Sequence, residues 1–215
     1  MTHGGPTDLE ARIAAETERL CADFAGVYDR ATVERCVAEG REAFASGGIQ
    51  EFLPSLIYRY TQQILGASAR ARGAVGGVPE ILFVCVHNAG RSQMAAALAK
   101  HLGGSGVVVR TAGSAPRGAI HPAVVEALRE IGLDAGEEFP KPLADAFVLA
   151  ADVIVTMGCG DACPVFPGKR YEDWKVDDPA GRPLADVRGI REDVRRRVVD
   201  LLTSLGVEPR EERRP

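Results

Sequence analysis

The chain reads as an α/β protein: a four-stranded parallel sheet with helices on both faces, preceded by a small three-helix bundle. Three observations point there. From Glu80 onward, short apolar runs alternate with longer stretches of helical period, the pattern of parallel strands joined by helical crossovers. Ile81–Val86 is apolar without alternation, as a strand covered on both faces must be. Ahead of that pattern, three apolar stripes at helical spacing follow one another.

The first stripe is Leu9, Ile13, Thr17, Leu20, Cys21 and Phe24, entered through Thr7-Asp8-Leu9-Glu10, which has the form of a capping box. Val33, Val37, Gly40 and Phe44 make the second. Phe52, Leu53, Leu56, Ile57, Tyr60 and Ile64 make the third, and Gly26 and Gly47-Gly48 punctuate the series. Residues 1–70 are assigned to this bundle and residues 71–79, rich in Gly, Ala and Arg, to a linker.

Residues 80–208 carry the sheet. After the first strand, Ser92–Leu102 is Ala-rich and helical and stops at Gly103-Gly104. Val107–Thr111 is the second strand. Pro122 suits the first turn of a helix that continues through Val124, Val125, Leu128 and Ile131 to Gly132. Leu143–Leu149 is a short helix, Val153–Thr156 a third strand and Lys169–Val176 a fourth. Ile190, Val194, Val198, Leu201, Leu202 and Leu205 give a final amphipathic helix ended by Gly206. Residues 209–215 are a charged, frayed tail.

Composition bounds the function. With 26 Lys and Arg against 30 Asp and Glu, the net charge is −4, which argues against nucleic acid as a general partner. No apolar stretch is long enough to span a bilayer, and the N-terminus lacks a signal-peptide pattern. The expected compartment is the reducing cytoplasm, where cysteines are catalytic, metal-binding or buried more often than paired in a structural framework. The five are Cys21, Cys36, Cys85, Cys159 and Cys163. Cys21 and Cys36 fall on apolar helix faces and are expected in the core.

Chemistry concentrates in loops that leave one edge of the sheet, the edge where open α/β folds bind ligands. Cys85-Val86-His87-Asn88-Ala89-Gly90-Arg91-Ser92 follows the first strand and opens a helix. Backbone N–H groups of such a loop converge on an anion with the helix dipole behind them. Arg91 adds a planar bidentate donor, and the same positive field favours thiolate over thiol at Cys85. Ser92 can donate to that thiolate. Asn88 and Gly90 are the residues best able to take left-handed backbone angles. His87 is read as a loop-shaping residue and not as a base. The third strand is followed by Thr156-Met157-Gly158-Cys159-Gly160-Asp161-Ala162-Cys163-Pro164. Its paired cysteines suit thiol exchange; a zinc site would need two more ligands, and no second cysteine pair exists. After the fourth strand come Asp177-Asp178-Pro179-Ala180-Gly181, where a carboxyl could protonate a departing oxygen or merely cap a turn.

Residues from about 80 to 206 resemble the low-molecular-weight tyrosine phosphatase superfamily, on the strength of C-x5-R-S after the first strand and Asp178-Pro179 late in the chain. Within it, Val84–Ala95, Thr111-Ala112-Gly113-Ser114 with His121-Pro122, and the cysteine pair after Val155-Thr156-Met157 resemble the thioredoxin-coupled arsenate reductases. The resemblance implies a low-molecular-weight phosphatase-like sheet domain and reduction of arsenate to arsenite, with phosphate or sulfate as mimics. It implies Cys85 as nucleophile, Val86, His87, Asn88, Ala89, Gly90 and Arg91 as the oxyanion loop, and Asp178 as general acid. Cys159 and Cys163 would form a disulfide relay. No bound cofactor or metal is implied; electrons would come from reduced thioredoxin, ultimately from NADPH. The N-terminal bundle lies outside the match and would serve as a homodimer or partner surface, or as a stabilising cap. The rivals are a tyrosine phosphatase using Cys85, Arg91 and Asp178, and a redox or oxyanion sensor. Ala180-Gly181-Arg182 where a phosphatase carries aromatics, and the Cys159/Cys163 pair, weigh against the first.

Overall fold

The computed structural model of the protein describes residues 6–45, 52–74, 76–135, 138–159 and 165–210, with side chains from residue 8 onward. The chain divides into two compact units, Met1–Val75 and Gly76–Pro215.

The first unit holds α1 (Pro6–Asp23), α2 (Arg30–Phe44) and α3 (Leu53–Ala71). Their apolar stripes meet in a core of Ile13, Leu20, Val33, Cys36, Val37, Ile57, Tyr60, Ile64 and Leu65. Gly40 brings α2 against α3: a Cβ there would stand 3.1 Å from Thr61 Oγ1. The expected capping box at Thr7 is displaced, because the helix already runs from Pro6, whose missing N–H costs nothing in a first turn. Glu10 instead accepts from Arg41 of α2, at 2.6 Å. Asp29 caps α2 by accepting from Thr32 N–H at 2.8 Å. Cys21 is half-buried, while Cys36 is in the core. The third helix continues through Gly66 to Ala71; Gly47 and Gly48 lie outside the described residues.

The second unit is built on β1 (Glu80–Cys85), β2 (Val108–Gly113), β3 (Val153–Met157) and β4 (Arg170–Asp173), in the order β2-β1-β3-β4. All three pairings are parallel, as the strand–helix alternation requires. Between strands lie α4 (Arg91–Gly103), α5 (Pro122–Arg129) and α6 (Asp145–Ala150), and α7 (Leu184–Ser204) closes the fold. The central strand is buried at every residue. Ile81, Phe83 and Cys85 join Met94, Leu98 and Leu102 of α4, Val124 and Leu128 of α5, and Val194, Val198 and Leu202 of α7 in one cluster. Leu82 and Val84, on the alternate positions, are also fully buried and face the other side, where α6 meets β1. Phe83 packs against Trp174 with centroids 5.6 Å apart.

Register decides what meets at the sheet edge. Cys85 stands opposite Gly113 of β2 and Met157 of β3. The strand order reverses at β1, so its carboxyl end opens into the crevice between two crossovers, where such sheets bind ligands. The loops after β1, β2 and β3 therefore leave from one level of the sheet.

Candidate active site

The loop from Cys85 to Gly90 has every carbonyl tied down from outside. Ser114 N–H donates to Cys85 O at 3.2 Å, Ala115 N–H to Val86 O at 2.8 Å, and Arg117 N–H to His87 O at 3.3 Å. Gln93 Nε2 donates to Asn88 O at 3.0 Å. His121 N–H donates to Ala89 O at 2.8 Å and Met94 N–H to Gly90 O at 2.9 Å. Among the described residues, the backbone N–H groups from Val86 to Arg91 have no hydrogen-bond partner. A loop with its carbonyls held outward presents its amides inward, at the N-terminus of α4. That is a cradle for a tetrahedral oxyanion. His87 contributes through its backbone, as its loop-shaping reading expects.

Asn88 turns this loop. It is the only non-glycine residue at positive φ among the described residues, at 51°, and it is fully buried. Its side chain sets the direction of a hydrogen-bond chain that ends on the nucleophile. Lys141 N–H donates to Asn88 Oδ1 at 3.0 Å; Asn88 Nδ2 donates to Ser92 Oγ at 2.8 Å. Ser92 Oγ lies 3.0 Å from Cys85 Sγ. Either atom of that contact can donate; with Asn88 donating to Ser92 Oγ, the hydroxyl proton is available to point at sulfur. Lys141 is buried to 1 % exposure, and its Nζ donates to Thr111 Oγ1 at 2.9 Å and to Glu138 Oε2 at 3.4 Å. Burial pushes the Glu138 carboxyl up, but the ammonium groups of Lys141 and Lys100 outweigh it and hold the acid below its usual 4.5. Lys141, Glu138 and Gln93 were not read as site residues in the sequence. A lysine set between Pro140 and Pro142 was the available signal, since two prolines fix its backbone.

Arg91 reaches two loops. Its Nη2 donates to Asp178 Oδ2 at 2.7 Å. Its Nη1 lies 2.6 Å from where a Cβ of Gly158 would be, and Gly158 has φ of +72°. Only glycine satisfies both the backbone angle and the approach. Asp178 Oδ1 accepts from Ala180 N–H at 3.0 Å, which fixes the carboxyl within its own turn. Gly90 departs from expectation: its φ is −140°, an ordinary value. Its glycine is required by space, because a Cβ would stand 2.8 Å from Pro179 Cγ and 3.2 Å from His121 Cδ2.

The structure therefore brings Cys85, Ser92, Arg91 and Asp178 to one place, with Gly158 and hence the start of the Cys159 segment against Arg91. Cys159 is buried at 7 % exposure and is disulfide-bonded, whereas Cys85 is a free thiol. Cys163 lies outside the described residues.

A free cysteine beneath an amide cradle, with an arginine beside it and a carboxylate on a neighbouring loop, is an arrangement suited to holding a tetrahedral oxyanion. Residues 80–211 match the family described as low molecular weight phosphotyrosine protein phosphatase. The chain belongs to that family. It is similar to the thioredoxin-dependent arsenate reductase of Corynebacterium glutamicum, with 40% identity and a TM-score of 0.81, covering 90% of this chain and 96% of that one. The glutaredoxin arsenate reductase of Synechocystis is 31% identical over 59% of this chain and 98% of its own length. The structure of an arsenate reductase in the phosphate-binding state is 30% identical, with a TM-score of 0.54, over 60% of this chain and 99% of that one.

Asn88→Ala removes the donor to Ser92 and strands Lys141 N–H. It is expected to cost about 2 kcal/mol in urea unfolding and to slow alkylation of Cys85 by iodoacetamide. Glu138→Gln tests the buried charge pair. Because the folded protein holds this acid below 4.5, its contribution is complete above that pH and fades as pH falls through the lowered value. Unfolding free energy should drop at neutral pH in the variant and lose part of its acid limb.

Proposed function

We propose that the protein reduces arsenate to arsenite through Cys85 and a disulfide relay. The observation that carries this reading is the pairing of a free Cys85 thiol under Ser92 with a disulfide-bonded Cys159 on the adjoining loop. Hydrolysis of a phosphate ester uses the first and has no need of the second. The similarity to arsenate reductases along nearly the whole chain supports the same conclusion.

Arsenate enters the cradle with its oxygens on the amides of Val86 to Arg91 and on the Arg91 guanidinium; phosphate and sulfate would bind the same way. The Cys85 thiolate attacks arsenic, forming an S–As bond, and one oxygen departs as water with a proton from Asp178. The Cys159 thiolate then attacks Cys85 Sγ. The Cys85–Cys159 bond forms, the S–As bond breaks, and its electron pair leaves on arsenic as arsenite. Cys163 next attacks Cys159, returning Cys85 as thiolate and leaving a Cys159–Cys163 disulfide. Reduced thioredoxin opens that disulfide by a further exchange, with NADPH as the ultimate donor. The disulfide seen at Cys159 fits that last protein-bound state.

Register supports Cys159 in the middle position. It lies just beyond Met157, which faces Cys85 across the sheet. Gly158, at φ of 72°, is where the chain would turn to bring Cys159 within disulfide reach of Cys85. The work is assigned to the cytoplasm, and the N-terminal helices to a homodimer surface; sedimentation of the full chain as a monomer would remove the latter.

The deciding assay couples arsenate, thioredoxin, thioredoxin reductase and NADPH. Cys85→Ser, Cys159→Ser and Cys163→Ser should each abolish multiple turnover, while Cys21→Ser and Cys36→Ser retain it. Full thioredoxin-dependent turnover by Cys159→Ser would end the relay reading. Hydrolysis of phosphotyrosine much faster than arsenate reduction would make the protein a phosphatase.

A further inference from the structure

His121 is not among the residues that hold or attack the anion, yet it touches the loop that does. Its N–H fixes Ala89 O at 2.8 Å, and it immediately precedes α5, which Val124 and Leu128 anchor in the core. Its ring is therefore mounted on a rigid element. The ring edge lies 3.2 Å from the point a Gly90 Cβ would occupy, and Pro179 Cγ and Cδ lie 2.8 and 3.4 Å from the same point. Both rings thus lie over the bare Cα of Gly90. Pro179 is buried although Asp178, Ala180 and Gly181 around it are exposed, so the acid loop is held down at this residue. Among the described residues the imidazole nitrogens have no hydrogen-bond partner, and packing is what the ring supplies.

We propose that His121 is a positioning residue for the general acid: its ring and Gly90 form the seat on which Pro179 stops, and that stop sets the reach of Asp178. The proposal rests on the arsenate-reductase reading for its catalytic consequence and on packing alone for the seat. Pro179 has a locked φ, so a displacement of its ring is passed directly to the preceding residue. Asp178 meets Arg91 at 2.7 Å, and Arg91 directly follows Gly90, so acid and cradle share one origin. Without the His121 ring, Pro179 has a wall on one side only and Asp178 samples positions away from the departing oxygen.

Two measurements on the full chain test this. The first is a urea-unfolding cycle of His121→Ala, Pro179→Ala and the double variant. Losses smaller than additive are expected; additive losses would overturn the seat. The second is arsenate kinetics. His121→Ala should lower kcat about tenfold while KM for arsenate and inhibition by phosphate stay within about twofold. His121→Phe, which restores a flat ring without imidazole nitrogens, should recover most of kcat, and His121→Ala added to Asp178→Asn should cost nothing further. A multiplicative loss in that double variant, or a raised KM with kcat unchanged, would overturn the positioning role. A wild-type protein that turns over no arsenate would sink the functional reading instead, and the unfolding cycle would still decide the seat.

Discussion

The site depends on one constraint: each carbonyl from Cys85 to Gly90 is held by a donor outside the loop. Backbone N–H groups from the β2–α5 segment take four of them, Gln93 takes another, and the first helical bond of α4 takes the last. A strand end cannot curl into a ring of inward amides unless its carbonyls find partners elsewhere, since buried unpaired carbonyls are costly. The parallel pairing of β1 with β2 supplies those partners by carrying Ser114 and the residues after it alongside the loop. Gly113 permits the approach, for a Cβ there would stand 2.8 Å from Val86 O. Sheet topology and anion chemistry are in this sense a single arrangement.

Arg91 carries the same logic between loops. One guanidinium faces Asp178 after β4 and Gly158 after β3, so the acid and the segment holding Cys159 are placed by the residue that would clamp the substrate. A family whose named chemistry is phosphate hydrolysis already owns the cradle, the nucleophile and the acid. On the proposed reading, the addition in this chain is sulfur on the third loop: water would resolve a phosphocysteine, whereas a thiol would resolve the arsenic adduct and supply electrons. Reduction is an addition to the scaffold at one strand end.

The sequence made strands and loops legible because continuous apolar runs and glycines reflect local demands. Asn88 at positive φ and Ser92 against Cys85 followed from loop geometry alone. What stayed hidden depends on partners distant in sequence. Lys141 drew no reading from the sequence, and it is buried among Thr111, Glu138 and Asn88. Gly90 suggested an unusual backbone angle, and the real demand is room for Pro179 and His121. At Thr7 a local capping pattern lost to a proline that starts the helix sooner. Spacing reveals what a residue can do within its own turn; it does not reveal which remote side chain arrives beside it.

The order of sulfur exchange is the centre of the account, and one trapping measurement tests it. A Cys163→Ser protein, fully reduced and then given one equivalent of arsenate, should stop after a single arsenite with one disulfide. Peptide mass spectrometry should find that disulfide between Cys85 and Cys159. Arsenite released with Cys85 and Cys159 both still free, or a Cys85–Cys163 disulfide accumulating in the companion Cys159→Ser protein, would contradict it.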